Sequence, residues 1–177
     1  MEQDATFECE GPPVITDWMQ FHYDIANTGN SPSNAPDDNT TKWISDNIGA
    51  VASSQAMIVG DKVFVYCGDS LKALSKASGA VLWNSQPMTP SPYGGYSSPA
   101  WHDGKVFIGS NDTVYCMNDT TGAEIWNTTL SGAQILNSAP TVANGLVFIG
   151  DYNNFAYYAL NETTGVVHHV YLSLIHI

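Results

Sequence analysis

Short apolar runs alternate with polar, glycine-bearing turns along most of this chain. Val63-Phe64-Val65-Tyr66, Val106-Phe107-Ile108-Gly109 and Val147-Phe148-Ile149-Gly150 are near-continuous β-branched and aromatic runs. That pattern predicts strands covered on both faces. Each run follows a tight-turn dipeptide, Gly60-Asp61, Asp103-Gly104 or Asn144-Gly145. Asp-Gly and Asn-Gly are strong hairpin signals because both residues tolerate positive φ. Ahead of each turn stands a short segment behind Ser or Asn: 53–58, 97–101 and 137–142. After each run come Leu71-Lys72-Ala73-Leu74, Val114-Tyr115-Cys116-Met117 and Tyr157-Tyr158-Ala159-Leu160, then Ala80-Val81-Leu82-Trp83, Glu124-Ile125-Trp126 and Val166-Val167-His168-His169. The glycine-ended links between these last two pieces suit a three-residue hairpin with glycine in the left-handed position. Four strands per repeat, no helical period, and turns every 8–12 or so residues leave a sandwich or a propeller.

The long period decides between them. Ala73 to Trp83 returns as Cys116 to Trp126 and again as Ala159 to His169, each copy 43 residues after the last. A small residue, a glycine six later and a large ring ten later keep their spacing, with histidine replacing the third ring. A sandwich does not predict near-copies at a period of about 40–50 residues; propeller blades do. The sequence thus predicts an all-β chain, a partial β-propeller of about three four-stranded antiparallel blades, with repeats at 44–86, 87–130 and 131–171. Trp43, 40 residues before Trp83, is expected to close the strand ahead of the first full repeat. Residues 1–16 read as a linker or frayed lead-in. Asp17 to Asn30 is too polar and glycine-broken for a helix, yet it carries Trp18, Phe21 and Tyr23 to bury. Ser31 to Asp38, with two prolines, is a loop.

Composition narrows the partners. The chain has the length of about one domain, and 44% apolar with 12% charged residues suits a packed fold. Five Lys+Arg against seventeen Asp+Glu give a net charge of −12, which disfavours nucleic acid and anionic lipid. No apolar run approaches the ~18 residues of a membrane span, so no membrane insertion is expected. Met1 to Pro13 carries four carboxylates and no apolar run, so it is not a secretory signal as it stands. Either the protein is cytoplasmic or its true start lies upstream. Cys9, Cys67 and Cys116 form no even-numbered framework. Cys116 fills a slot that is alanine in the other copies, so it reads as a small buried residue.

The small-x-x-x-x-[ST]-G-x-x-x-Trp unit, behind a [DN]-G-x-V-F-[IV] hairpin, resembles the PQQ-type repeat of quinoprotein-like β-propellers. That family includes eight-bladed alcohol dehydrogenases and non-catalytic relatives such as the outer-membrane assembly lipoprotein. The lead-in from Asp17 to Gly29 looks like the segment that opens such propellers in surface proteins of archaea and bacteria. The resemblance implies a tryptophan-docking arrangement, in which the ring stacks on the small residue and the glycine peptide plane of a neighbouring repeat. Carried over, Trp83 and Trp126 are docking rings, Ala73, Cys116 and Ala159 small platforms, and Gly79, Gly122 and Gly165 peptide platforms. An indole buries up to about 250 Å² and needs a flat, Cβ-poor surface to lie on. The chain departs from the family pattern at Ser75, Asn118 and Asn161, where aspartate is usual, and at Ala80, Ala123 and Val166, where lysine is usual. Leu172 to Ile177 resembles read-through of a sequencing adapter in a metagenomic gene. Three repeats fall short of the four to eight blades of a closed ring, so the chain is expected to be the N-terminal part of a larger propeller.

No catalytic, cofactor-binding or metal-binding set assembles from these residues. A quinoprotein dehydrogenase would need PQQ over a tryptophan, calcium, basic partners, an aspartate base and an adjacent cysteine pair; the pair is absent, and the five lysines form no evident cluster. Asp151 to Asn154 and Asp37 to Asn39 lack calcium-loop spacing. His168 and His169 would point to opposite faces of a strand. Five Asn-x-Thr sequons, at Asn39, Asn111, Asn118, Asn127 and Asn161, fall at turns or strand ends. The expectation is a non-catalytic exported propeller that binds a protein or envelope component at the cell surface, completed by further blades of its own chain. The alternatives are a PQQ-dependent alcohol dehydrogenase whose site lies in missing blades, with PQQ and calcium as cofactors, and an envelope-assembly scaffold.

Overall fold

The computed structural model describes residues 17–33, 38–51, 53–90, 96–133 and 138–172. Twelve strands fall into three sheets of four. The first blade holds β1 (Met57–Val59), β2 (Lys62–Tyr66), β3 (Leu71–Ser75) and β4 (Val81–Asn84). The second holds β5 (Ala100–His102), β6 (Lys105–Ser110), β7 (Thr113–Asn118) and β8 (Glu124–Thr129), and the third β9 (Thr141–Ala143), β10 (Leu146–Asp151), β11 (Ala156–Asn161) and β12 (Val167–Leu172). Each sheet is an antiparallel meander in chain order. These are three blades of a β-propeller.

Local sequence explains the hairpins. Asp103 and Gly104 (φ 45° and 73°) and Asn144 and Gly145 (φ 52° and 75°) both take positive φ, as a type I′ turn requires. The first blade manages with one such residue, Gly60 at φ 57°. Each blade also slips register just after its small residue, between Ala73 and Leu74, Cys116 and Met117, and Ala159 and Leu160.

The period-2 pattern of the central strands then builds the two seams. Val106 and Ile108 of β6, with Tyr115 and Met117 of β7, pack into a cluster with Phe64, Tyr66, Leu71 and Trp83 of the first blade. Their alternates, Phe107, Val114 and Cys116, join Val147, Ile149, Tyr158 and Leu160 of the third. Side chains alternate across a strand, so one apolar run supplies both seams. Each fully buried side chain of this size contributes about 1.5–3 kcal/mol. The inner strands β1, β5 and β9 approach one another in sequence.

Two local expectations, those for Trp43 and Phe21, are corrected. The hairpin of the third blade begins 41 residues after its equivalent in the second, and the longer turn between β10 and β11 restores the 43-residue offset before the docking unit. Trp43 lies outside any strand. Phe21 is 44% exposed, whereas Trp18 and Tyr23 are half-buried. Leu172 is the last residue of β12 and pairs with Ala156; the rest of the adapter-like tail, like residues 1–16, lies outside the described residues.

The lead-in crosses the blades instead of packing as an apolar knot. Trp18 exchanges two backbone hydrogen bonds with Ile58 of β1, at 2.6 and 3.0 Å. The Met19 carbonyl accepts from the Trp101 N–H of β5 at 2.7 Å, and Gln20 Oε1 accepts from the Val142 N–H of β9 at 3.4 Å. Three consecutive residues therefore touch the inner strands of three consecutive blades.

Candidate functional site

The first candidate region is the set of seams. At Gly79, Gly122 and Gly165 an added Cβ would lie 2.5, 2.5 and 2.6 Å from Cε3 of Trp43, Trp83 and Trp126 respectively. Each ring therefore lies flat on a glycine where no other residue fits. Each glycine also has φ between 71° and 74°, a left-handed region that L side chains avoid. The indole N–H groups donate to the carbonyls of Lys76, Asp119 and Glu162, at 2.8, 3.0 and 3.0 Å. Those acceptors are themselves 43 residues apart and stand three before the glycines. The same seat is thus built three times.

The structure places the small residues differently from the glycines. Ala73 is the direct cross-strand partner of Trp83, Cys116 of Trp126 and Ala159 of His169. A ring therefore faces the small residue of its own blade and the glycine of the next one. Trp43, which the sequence placed at a strand end, occupies the seat of the first blade. Its spacing to Trp83 was the available signal; the shared acceptor position at Lys76, Asp119 and Glu162 was a second. His169 occupies the ring slot on a strand that is exposed throughout.

The departures at Asn118 and Asn161 have a structural account. Each side-chain Oδ1 accepts the N–H of the second and third following residues, and the threonine hydroxyl of the third. An asparagine oxygen serves this turn as an aspartate oxygen would.

The third seat carries a charged bracket that sequence reasoning did not single out. Glu162 Oε1 lies 2.9 Å from His102 Nδ1 and 3.1 Å from Lys105 Nζ, both of the second blade. Glu162 is buried, and burial alone would raise its pKa. The hydrogen bonds and positive charge of His102 and Lys105 outweigh that and hold it below its ordinary value. Burial likewise works against the Lys105 ammonium, but the Glu162 carboxylate keeps its pKa above the usual lysine value. Cys116 is fully buried, and that burial pushes its thiol up to about 12, so it is a packing group and no nucleophile at neutral pH. Cys67 is half-buried and raised for the same reason; Cys9 lies outside the described residues. The Asp151 carboxylate accepts the N–H groups of Asn153 and Asn154. Among the described residues no group of three His, Cys, Asp or Glu side chains is set to hold a metal ion.

The second region is a cleft of about 280 Å³ at the inner strands. It is lined by the approach segments to β1, β5 and β9, and by Phe21 and Asn27 of the lead-in. Ser54 Oγ donates to the Ser97 carbonyl and the Gln55 N–H to Ser98 Oγ, both at 2.8 Å, which ties the first two segments together. Ser97 and Ser138 hold equivalent posts, each accepting from a glycine N–H of its own blade, Gly109 and Gly150.

A sequence profile described as the outer membrane protein assembly factor BamB matches residues 67–174, more than half of the chain. The chain belongs to this family of PQQ-type repeat β-propellers. Among solved structures, BamB from Moraxella catarrhalis is 24% identical, with a TM-score of 0.62 over 73% of this chain and 42% of that one. The quinohemoprotein alcohol dehydrogenase of Comamonas testosteroni is 19% identical, with a TM-score of 0.71 over 89% of this chain and 27% of that one. The computationally designed Ika4 protein is 16% identical, with a TM-score of 0.61 over 76% and 80%. These likenesses are to the propeller fold. No curated protein matches in sequence. The PQQ-repeat chain spans about two fifths of the BamB structure and under a third of the dehydrogenase.

Proposed function

We propose that this chain is a non-catalytic binding or structural module, working at the cell surface or in the envelope with a protein or envelope component as partner. Its family supports an envelope role, since the matching profile is described by an outer membrane assembly factor. The observation that carries the reading is the seam bracket. His102, Lys105 and Glu162, the groups best suited to acid–base work, close on one another between two blades. The polar chemistry of this arc goes into holding blades in register, as a scaffold requires.

Further blades of the same polypeptide are the first partner in this proposal. Tyr157 and Tyr171, paired across β11 and β12, are 59% and 54% exposed on the outer side of the third blade, a face that a following blade would cover. No helix among the described residues is long and apolar enough to cross a membrane.

The test is dye-linked alcohol oxidation by the longest polypeptide that contains this chain, after addition of PQQ and calcium. The expected result is no turnover and no quinone absorbance retained through gel filtration. Turnover with retained quinone would replace this reading with the dehydrogenase, whose propellers share the fold.

A further inference from the structure

The cleft at the inner strands has a chemistry that the scaffold role does not use. We propose that it binds an uncharged, polyhydroxylated ligand, a mono- or disaccharide. Its size sits near the lower end of small-molecule sites, which run from about 300 to 1,000 Å³. Among the described residues that line it there is no carboxylate, ammonium, guanidinium or imidazole. In a chain of net charge −12 that lining gives an anion nothing to pair with.

The walls are equally unsuited to a purely apolar guest. Gln55 Oε1 is buried with no hydrogen-bond partner among the described residues, so it asks for a donor. Ser98 and Ser138 each already accept a backbone N–H, which leaves the hydroxyl hydrogen as what each can offer. An apolar ligand would strand all three groups without a partner, which weakens its binding.

Two aromatic rings complete the pattern. Phe21 and Tyr96 line the cleft and stay 44% and 43% exposed. His22 stacks on Phe21, with centroids 4.1 Å apart and planes at 18°, and so braces that ring. Aromatic faces carry negative potential and suit the axial C–H surface of a pyranose, while its hydroxyls suit Gln55, Ser98 and Ser138. A saccharide is the ligand class that presents both surfaces at once. The inference stands apart from the scaffold reading, because every group it uses belongs to the described residues of this chain.

The test is a titration of the isotopically labelled chain with glucose, N-acetylglucosamine and cellobiose, followed by amide chemical shifts. Glucuronate is the charged counterpart. Saturable shifts at Gln55 and Ser98 are expected for at least one neutral sugar, with a dissociation constant of about 1–10 mM. Tyr96→Ala and Phe21→Ala should each weaken binding about tenfold or more. Both side chains are exposed enough for thermal unfolding to stay unchanged, and Gln55→Ala supplies an independent polar variant. The proposal is overturned if no sugar gives saturable shifts, which would mean a cleft holding water only. It is also overturned if the three variants bind like the parent, or if glucuronate binds as well as the neutral sugars. Dehydrogenase activity in a longer polypeptide would refute the scaffold reading without touching this one.

Discussion

The second and third blades share strand order, hairpin chemistry and much of their sequence pattern, yet they are finished differently. Both faces of the central strands β6 and β7 of the second blade are buried, and every residue of β6 from Val106 to Ser110 is inside. In the third blade β10 alternates between buried and half-buried, and β12 is exposed along its whole length. Trp126 leaves the second blade for a glycine seat on the third, whereas His169 meets no glycine seat among the described residues. A blade's sequence therefore describes half of each of two seams. Whether its strands count as core depends on which neighbour is present.

The comparison breaks most completely at the ring. Trp126→Ala removes a buried indole and its N–H bond to Glu162, and should cost about 3–5 kcal/mol. Urea denaturation would show it as a fall in midpoint that takes the third blade with it. The glycines give a sharper test, because two with the same backbone differ only in what lies above them. Gly104→Ala at φ 73° meets nothing within 4 Å, so it should cost about 1–2 kcal/mol of backbone strain. Gly122→Ala at φ 72° would also meet Trp83 at 2.5 Å, which adds about 1–3 kcal/mol of overpacking. Equal losses for the pair, measured by the same denaturation, would refute the docking geometry.

Glu162→Gln comes next, at about 1–2 kcal/mol, since the bonds it loses are charged but one partner is half-exposed. Its pH dependence has a definite sign. A folded pKa held below 4.5 means the carboxylate's contribution is complete above pH 4.5 and is lost as pH falls through the lowered value. Lys105 acts at the other end. Its raised pKa keeps the ammonium's contribution intact up to pH 10.5, with loss only above that. Parent and variant melting temperatures should therefore converge in acid and again in strong alkali, and differ most between. The smallest effect is expected for His169→Trp. With no glycine seat beyond it among the described residues, a restored ring should change the stability of this chain by less than about 0.5 kcal/mol, as read by the denaturation midpoint.

Much of this was legible before any coordinates. Apolar runs of alternating composition, Asp-Gly and Asn-Gly turns and a 43-residue unit led directly to four-stranded blades. Trp83, Trp126, Gly122 and Gly165 were named from that unit, and the structure brings ring and glycine together in pairs. Trp43 was assigned to the wrong role because its partner, Gly79, lies 36 residues away with no motif at the ring's end to announce it. The Glu162 bracket was missed for a similar reason. His102 and Lys105 sit 60 and 57 residues from it, and only the turn of one blade against the next closes that gap. Phe21 was expected to bury, but backbone bonds at Trp18 and Met19 and the Gln20 side chain hold the lead-in across the inner strands and leave that ring at the cleft.

The division follows from the range of the forces. Strand, hairpin and repeat arise from φ preferences and side-chain alternation within a few residues, so the sequence alone determined that the chain is all-β and built from repeated four-stranded units. Seams and cleft arise where surfaces from different blades meet. Their cost and gain depend on which atoms face each other across a gap that sequence distance does not measure. Only the tertiary structure decided that Trp43 lies over Gly79, that Glu162 meets His102 and Lys105, and that segments of three blades line a cleft with no charged side chain among its described lining residues.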